Sequence, residues 1–308
     1  MSDQARRAVL VWGWRSLAIG LGGGMLGGCK TLEIGANLGQ SLGLLDAQQA
    51  QSLVRTGTAV GRAMEQIDPE QEYYIGRSVG ATLLSQYPVY QNPALHSYLN
   101  LLGSYVSLAS QTPQTFGGYR FLVLDSEEIN AFAAPGGLIM VTRGMLRCCT
   151  SEDELAAVLA HEVSHIQQRH AVQAISQARI VAAMQAITVE GIRHYARGTD
   201  LTMLVEALEG SIGDIMNTMV QRGYARTQEQ EADRIAVGIL QRTGYDDQAL
   251  PTMLEQMQQR LQPGGLDFAR THPAPSQRIE GIQPLLASVR TAIPKSRTQR
   301  FQQALRGV

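Results

Sequence analysis

The run His161-Glu162-Val163-Ser164-His165 constrains this chain more than any other feature of its sequence. Residues four apart on an α-helix share one face, so this spacing brings the two imidazoles together only if the segment is helical. Two such imidazoles can bind one Zn²⁺, and the carboxylate of Glu162 then lies beside them as a general base for the attacking water. The run therefore predicts an HExxH zinc site on a helix.

Capping signals predict three helices, one of which contains this motif. Ser151 has the position of an N-cap and Glu154 that of its capping-box partner. Apolar residues then recur at helical spacing, and no Pro or Gly interrupts the chain until after residue 190. In the same way, Asp68-Pro69 and Asn92-Pro93 predict the starts of two earlier helices.

An enzymatic zinc site has three protein ligands, so one more must come from another part of the chain. His170 follows His165 by five residues, a helical rotation of about 140°, which predicts a place on the helix surface or behind the ligands. A second helical pattern opens after Thr227, a candidate N-cap, and carries Glu229 and Asp233 four residues apart. One of these acids can bind the metal while the other hydrogen-bonds a ligating imidazole. The alternative is an acidic first turn favoured by the helix dipole.

The residues before the motif predict a small sheet. The apolar runs 121–124 and 138–142 are strand-like, and Pro135-Gly136-Gly137 between them predicts a turn. An edge strand is predicted for four further residues: Asn130, Ala131, Phe132 and Ala133. A protease needs an extended substrate, and an exposed edge offers backbone hydrogen bonds to any sequence. The alternative is an ordinary hairpin held by core packing.

Four ordered blocks of the sequence resemble one family of zinc metallopeptidases. The blocks are residues 125–141, 154–165, 224–233 and 271–279. The family includes HtpX, the CAAX prenyl protease and the mitochondrial Oma protease, and the chain is most similar to its periplasmic BepA/LoiP branch. The resemblance covers roughly residues 68–286. It implies an α+β fold, mostly α, of the gluzincin type, with a small mixed sheet beside the HExxH helix.

The resemblance also assigns roles to single residues. It implies that one Zn²⁺ per chain is bound by His161, His165 and Glu229. Glu162 is then the general base, and Asp233 lies behind the ligands as a hydrogen-bonding or proton-handling group.

His272 has a less direct role in this resemblance. In the periplasmic branch the matching histidine can lie over the zinc as a lid or fourth ligand, which would exclude the water that Glu162 activates. His272 precedes Pro273 on a predicted loop, and the proline limits where the imidazole points. We expect a gating role, with oxyanion stabilisation or capping of the following helix as alternatives.

The N-terminus predicts export from the cytoplasm. A basic Arg6-Arg7 pair precedes a short, glycine-rich apolar stretch that ends at Leu26-Gly27-Gly28-Cys29, which resembles a bacterial lipobox. Arg15 within the stretch argues against a stable membrane span. We expect residues 1–28 to be a lipoprotein signal peptide that uses the general or the twin-arginine route.

Cys29 is the predicted site of lipidation and of attachment to a membrane. Lys30 follows it in place of the Asp associated with inner-membrane retention, so we expect the periplasmic side of the outer membrane. Residues 29–66 are predicted to be a tether with a weak helix, and residues 67–308 the zinc metallopeptidase domain. Composition shows no basic excess for nucleic acid, because the formal net charge is −1.

These features predict a zinc endopeptidase that degrades unfolded or misassembled envelope and outer-membrane proteins. The alternatives are a catalytically quiet, chaperone-like lipoprotein that binds assembling outer-membrane proteins, and a zinc hydrolase that does not cleave peptides. Besides Cys29, the chain has only Cys148 and Cys149, which are adjacent and are predicted to be free thiols. The natural substrate and the oligomeric state are not predicted.

Overall fold

The computed structural model describes residues 67–175, 210–260, 272, 274–287 and 292–308. The predicted signal peptide, the predicted lipidation site Cys29 and the predicted tether lie outside these described residues. The chain divides into two units, Met1–Ile67 and Asp68–Val308, and the second unit contains the elements below. None of the helices in the described part combines the length and the apolar character that a bilayer crossing requires.

Helices make up most of the described structure, beside one small sheet. The helices are α1 (Pro69–Gln86), α2 (Pro93–Leu108), α3 (Arg143–Cys148), α4 (Glu152–Gln167), α5 (His170–Gln173), α6 (Arg226–Thr243), α7 (Ala249–Arg260), α8 (Pro275–Ile282) and α9 (Lys295–Ala304). The strands are β1 (Arg120–Leu124), β2 (Ala131–Ala134) and β3 (Leu138–Thr142). Shorter turns are the 3₁₀ segments Pro135–Gly137 and Gln283–Leu285 and the π-helical segment Asn217–Arg222. The predicted α+β fold, mostly α, is confirmed.

Local capping bonds start the first two helices where the sequence predicts them. The Asp68 carboxylate accepts a hydrogen bond from the Gln71 N–H at 2.8 Å, and the Gln71 side chain accepts one from the Asp68 N–H at 3.1 Å. Asn92 caps α2 by accepting from the Leu95 N–H at 3.0 Å. These bonds satisfy backbone groups that the first helical turn leaves unpaired.

Ser151 caps α4 as predicted, but Glu154 binds a different residue from the one expected. The Ser151 hydroxyl accepts from the Glu154 N–H at 3.2 Å. The Glu154 carboxylate accepts from the N–H and hydroxyl of Thr150, at 2.6 and 2.8 Å. The helix ends at Gln167, well before the apolar pattern does, because Arg169 adopts a left-handed backbone with φ of 55°.

The three strands form a mixed sheet in the order β1-β3-β2. Strand β1 is parallel to β3, and β2 is antiparallel to it. The turn between β2 and β3 requires a glycine at Gly136, where φ is 72° and a Cβ would lie 2.6 Å from the Cα of Tyr73. The edge strand begins at Ala131, one residue later than predicted. Strand β2 lies at the edge of the sheet as predicted, but its four residues are buried rather than exposed, with α4 and α1 packed against it.

Helix α4 lies at the centre of the described unit. Every residue from Glu152 to Ile166 is buried, and the helix contacts α2, α6, α7 and the sheet. Its polar side chains are therefore shielded from water. A buried polar group is costly without a hydrogen-bond partner, so neighbouring elements must supply partners for them.

Helix α9 supplies two such partners at the start of α4. Arg300 Nε donates to Glu152 at 2.7 Å, and an Arg297 guanidinium nitrogen donates to Asp153 at 2.8 Å. Both carboxylates are buried. Glu152 also accepts hydrogen bonds from two tyrosine hydroxyls, those of Tyr98 and Tyr245. The C-terminal helix is thereby tied to the helix that carries the motif.

We predict that the double variant Arg297→Ala/Arg300→Ala lowers the free energy of unfolding by about 3 kcal/mol, because it leaves two buried carboxylates without a cation. Chemical denaturation followed by circular dichroism measures the change. Arg306→Ala is the control, since Arg306 is an exposed arginine just beyond the same helix. Equal stability of the double variant and this control would mean that the remaining hydrogen bonds, from two tyrosine hydroxyls to Glu152 and from the Asp246 N–H to Asp153, compensate the carboxylates.

Candidate metal centre

Helices α4 and α6 pack against each other and direct their predicted metal-binding side chains towards one point. His161 and His165 come from α4, Glu229 from α6, and His272 from the chain before α8. One candidate donor atom from each of these four residues lies within 4.8 Å of all the others, and all four side chains are buried. The structure therefore brings together the three predicted ligands and the predicted gating residue.

The distances within this cluster are short. The Nε2 atoms of His161 and His165 are 3.1 Å apart. The two carboxylate oxygens of Glu229 lie 3.4 Å from His165 Nε2 and 3.6 Å from His161 Nε2. His272 Nδ1 lies 2.8 Å from Glu229 Oε2. Burial alone would raise the pKa of Glu229, but the imidazoles of His272, His165 and His161 hold it well below its ordinary value.

Asp233 and Arg278 support His161 from behind. Asp233 Oδ1 lies 3.0 Å from His161 Nδ1, and the Arg278 guanidinium donates to both oxygens of Asp233, at 2.9 and 2.6 Å. Burial would raise the pKa of Asp233, but Arg278 outweighs burial and lowers it. The anionic Asp233 accepts the Nδ1–H of His161. The Nε2 lone pair of that ring is then directed towards the cluster.

His165 has a different partner, an imidazole. Its Nδ1 lies 2.9 Å from Nδ1 of His170, whose Nε2 lies 3.5 Å from a carboxylate oxygen of Glu231. Burial lowers the pKa of His170 to about 3, so this ring is neutral. Of the two predicted places for His170, the helix surface is wrong, because the break at Arg169 turns the chain back behind His165. If His165 binds a metal through Nε2, its own proton lies on Nδ1 and is donated to His170 Nδ1, and the proton of His170 is then on Nε2.

Tyr224 fixes the plane of the His165 ring. The two rings stack with centroids 4.3 Å apart and an angle of 23° between their planes. Stacking on an aromatic face leaves an imidazole little freedom to rotate. The ring of His165 is thus held both by a hydrogen bond at Nδ1 and by contact with its face.

These contacts fit a bound cation. The two Nε2 atoms lie 3.1 Å apart beside a carboxylate, and one atom of each of these residues can reach a single metal ion. Imidazole nitrogens with one carboxylate form the donor set of catalytic zinc sites, and neutral, oriented imidazoles are the form that binds metal. The residues present therefore suit a metal ion.

Glu162 lies next to this cluster with an oxygen available for chemistry. Its side chain is buried, and Oε1 has no hydrogen-bond partner within the described part of the chain. It borders a small cavity shared with His161 and Arg278. Otherwise this cavity has an apolar lining: Val158, Leu250, Met253, Leu254 and Met257. A carboxylate with a free oxygen beside a metal site can accept a proton from water.

Several features of this region differ from the sequence predictions or were absent from them. Helix α6 begins at Arg226 with Ala225 as its N-cap, so the assignment of Thr227 is wrong. His272 does not cap α8, which starts after Ala274 without a side-chain cap. Arg278, which lies in one of the four family-like blocks, received no role in the sequence prediction.

The two adjacent cysteines are free, as predicted, and both are buried. Burial raises the pKa of Cys148 to about 11, and burial also raises the pKa of Cys149. Both are therefore neutral thiols near pH 7. Neither belongs to the metal-binding group found among the described residues.

Comparison with known proteins gives one family and a consistent set of relatives. The sequence model of peptidase family M48 matches residues 93–285. The beta-barrel assembly-enhancing protease of Escherichia coli K12 is 32% identical over 238 residues, which are 76% of this chain and 47% of that protein. The Yersinia pestis protein of the same name is 30% identical over 247 residues, 78% of this chain and 48% of its own length.

A mitochondrial relative matches over a shorter range. The metalloendopeptidase OMA1 of Schizosaccharomyces pombe is 32% identical over 157 residues, which are 50% of this chain and 42% of that protein. The chain thus spans about half the length of the curated relatives it matches.

Proposed function

The chain belongs to peptidase family M48, and we propose that it is a zinc metalloendopeptidase that degrades unfolded or misassembled outer-membrane proteins in the bacterial envelope. One observation carries this proposal: the convergence of two imidazole Nε2 atoms and the Glu229 carboxylate beside the free Oε1 of Glu162. The relatives called beta-barrel assembly-enhancing proteases support the substrate class.

We assign the metal to His161, His165 and Glu229, with one zinc ion per chain. A zinc ion held by these residues would supply Lewis-acid chemistry to a peptide carbonyl and to water. Glu162 would accept the proton of the attacking water and return it to the nitrogen of the departing amine. The buried surroundings strengthen these charge interactions, because little bulk water screens them.

Asp233 and Arg278 keep this machinery in position. Asp233 orients His161 through Nδ1, and Arg278 neutralises Asp233 with two hydrogen bonds. A buried aspartate without Arg278 would carry an uncompensated charge. The pair therefore allows a carboxylate to orient a ligand while adding no net charge to the site.

We assign substrate alignment to strand β2. The Thr142 N–H donates to the Asn130 carbonyl at 3.1 Å, and hydrogen-bonded pairs alternate along an antiparallel ladder. The backbone groups of Ala131 and Ala133 therefore point away from β3, although the Ala131 N–H already donates to the Asn130 side chain. An extended substrate can pair with the remaining groups. Because β2 is buried, the residues that cover it must move aside first.

We predict that Glu162→Gln leaves zinc bound but lowers casein cleavage by about 100-fold or more, because the amide cannot accept the proton. His161→Ala and Glu229→Ala should lose zinc together with activity. Metal analysis of the purified domain, with cleavage measured before and after chelation, distinguishes these outcomes. Undiminished zinc and activity in Glu229→Ala would contradict its assignment as a ligand.

We propose that His272 gates the site. Its Nδ1 lies 2.8 Å from Glu229, and the residue belongs to the four-membered donor group, so it can occupy the position needed by water. This closed arrangement also favours the second candidate function, a chaperone-like lipoprotein whose catalysis is silent. The two candidates differ in whether removal of the imidazole releases proteolysis.

We predict that His272→Ala raises basal casein cleavage and self-cleavage, because it opens the position beside Glu162. His96→Ala is a matched control, since His96 lies on α2 and outside the donor group. A fall in kcat of about 100-fold with zinc retained would instead assign oxyanion stabilisation to His272. No cleavage by any variant, with zinc bound, would favour the chaperone-like function.

The proposed location depends on Cys29, which lies outside the described residues. We predict that Cys29→Ser abolishes lipid attachment and moves the protein from the membrane fraction to the soluble periplasmic fraction. Cys148→Ser controls for loss of a thiol, because Cys148 is buried and free. Sedimentation of the Cys29 variant with outer membranes after a high-salt wash would contradict the proposed anchor.

A further inference from the structure

The break after α4 places His170 in an unusual position. Arg169 has a φ of 55°, and it is the only residue other than glycine with a positive φ in the described part of the chain. This conformation is unfavourable for a residue with a Cβ atom, so its surroundings must hold it. Arg169 Nε donates to Glu72 at 2.7 Å, and Glu72 also accepts from the Gly136 N–H at 3.4 Å. Contacts from α1 and the β2–β3 turn therefore hold the break.

The break has one clear structural consequence for the site. On a continuous helix, residue 170 would be turned about 140° away from residue 165. Instead, the Nδ1 atoms of His165 and His170 are 2.9 Å apart, and both rings are buried. His170 Nε2 lies 3.5 Å from one oxygen of Glu231, whose other oxygen accepts a hydrogen bond from Gln168. The two imidazoles and Glu231 form one chain of contacts.

We propose that His170 is a positioning residue that selects the metal-binding tautomer of His165. The unprotonated Nδ1 of His170 accepts the Nδ1–H of His165, which keeps the proton off His165 Nε2. Glu231 lies 3.5 Å from His170 Nε2 without a hydrogen bond to it, and its negative charge favours a proton on that nitrogen. This inference rests on the proposed role of His165 as a metal ligand.

The two ligating histidines thus have partners of different charge. His161 is held by an anionic Asp233 that is neutralised by Arg278, whereas His165 is held by the imidazole of His170. A neutral acceptor can orient His165 without adding charge to a buried site. A carboxylate at the same place would need its own counter-ion to avoid a large desolvation cost.

Two variants test this role with measurements that do not depend on catalysis. His170→Leu removes the acceptor, and His170→Asn retains an oxygen acceptor near the position of Nδ1. We expect His170→Leu to weaken zinc binding 10- to 100-fold in a chelator competition, as loss of an outer-shell partner does. His170→Asn should restore most of the affinity. Glu231→Gln should weaken binding less than tenfold, because it still offers an oxygen to His170.

The tautomer itself can be observed in the metal-free protein. A ¹H–¹⁵N correlation spectrum of the imidazoles should show His165 protonated on Nδ1 in the native chain and in His170→Asn. In His170→Leu the proton should be shared between both nitrogens. Thermal unfolding of the metal-free variants identifies any general loss of structure. If His170→Leu does not fold, His170→Ala takes its place as the variant without an acceptor and is compared with His170→Asn.

His165→Ala separates this inference from the proposed function. If His165→Ala retains full zinc affinity, the ligand assignment itself fails. If His165→Ala loses zinc while His170→Leu binds it as the native chain does, only the role of His170 is overturned. Equal losses in His170→Leu and His170→Asn would also overturn it, because the acceptor atom would then be irrelevant.

Discussion

The contact between α4 and α6 is the interaction on which the site depends, because the predicted ligands are divided between these two helices. The first helix supplies His161 and His165, and the second supplies Glu229. Both helices contain fully buried alanines, among them Ala160 and Ala236, and small side chains allow helices to pack closely. A shift of one helix along the other would separate the carboxylate from the imidazoles. The geometry of the metal site is therefore a property of core packing rather than of a flexible loop.

The metal-binding side chains are held by buried helices, and the charged groups buried with them need polar partners. Asp233 carries a charge that α6 alone cannot compensate, and α8 brings Arg278 to it with two hydrogen bonds. At the opposite end of α4, α9 brings arginines to Glu152 and Asp153. Each contact removes the cost of a buried charge rather than adding a large net stabilisation. Helices α8 and α9, near the end of the chain, thereby act on the same central helix.

The predictable features are those set by short-range signals. Caps at Asp68, Asn92 and Ser151 depend on side chains within three residues, and the spacing of the HExxH histidines depends only on helical geometry. The break at Arg169 has no Gly or Pro to signal it, and its ion-pair partner lies 97 residues away in sequence. Arg278 lies 45 residues from the aspartate it neutralises. Contacts at such separations follow from tertiary packing, which local patterns do not encode.

The buried state of the site constrains how a substrate can enter it. Glu162, the donor residues and strand β2 are all shielded from solvent, and His272 lies against Glu229. If only an opened state binds substrate, the apparent affinity is reduced by the fraction of molecules that are open. An extended, unfolded segment can offset this cost by pairing along β2, whereas a folded protein offers few segments that can do so. The proposed preference for unfolded chains would then follow from the closed structure itself.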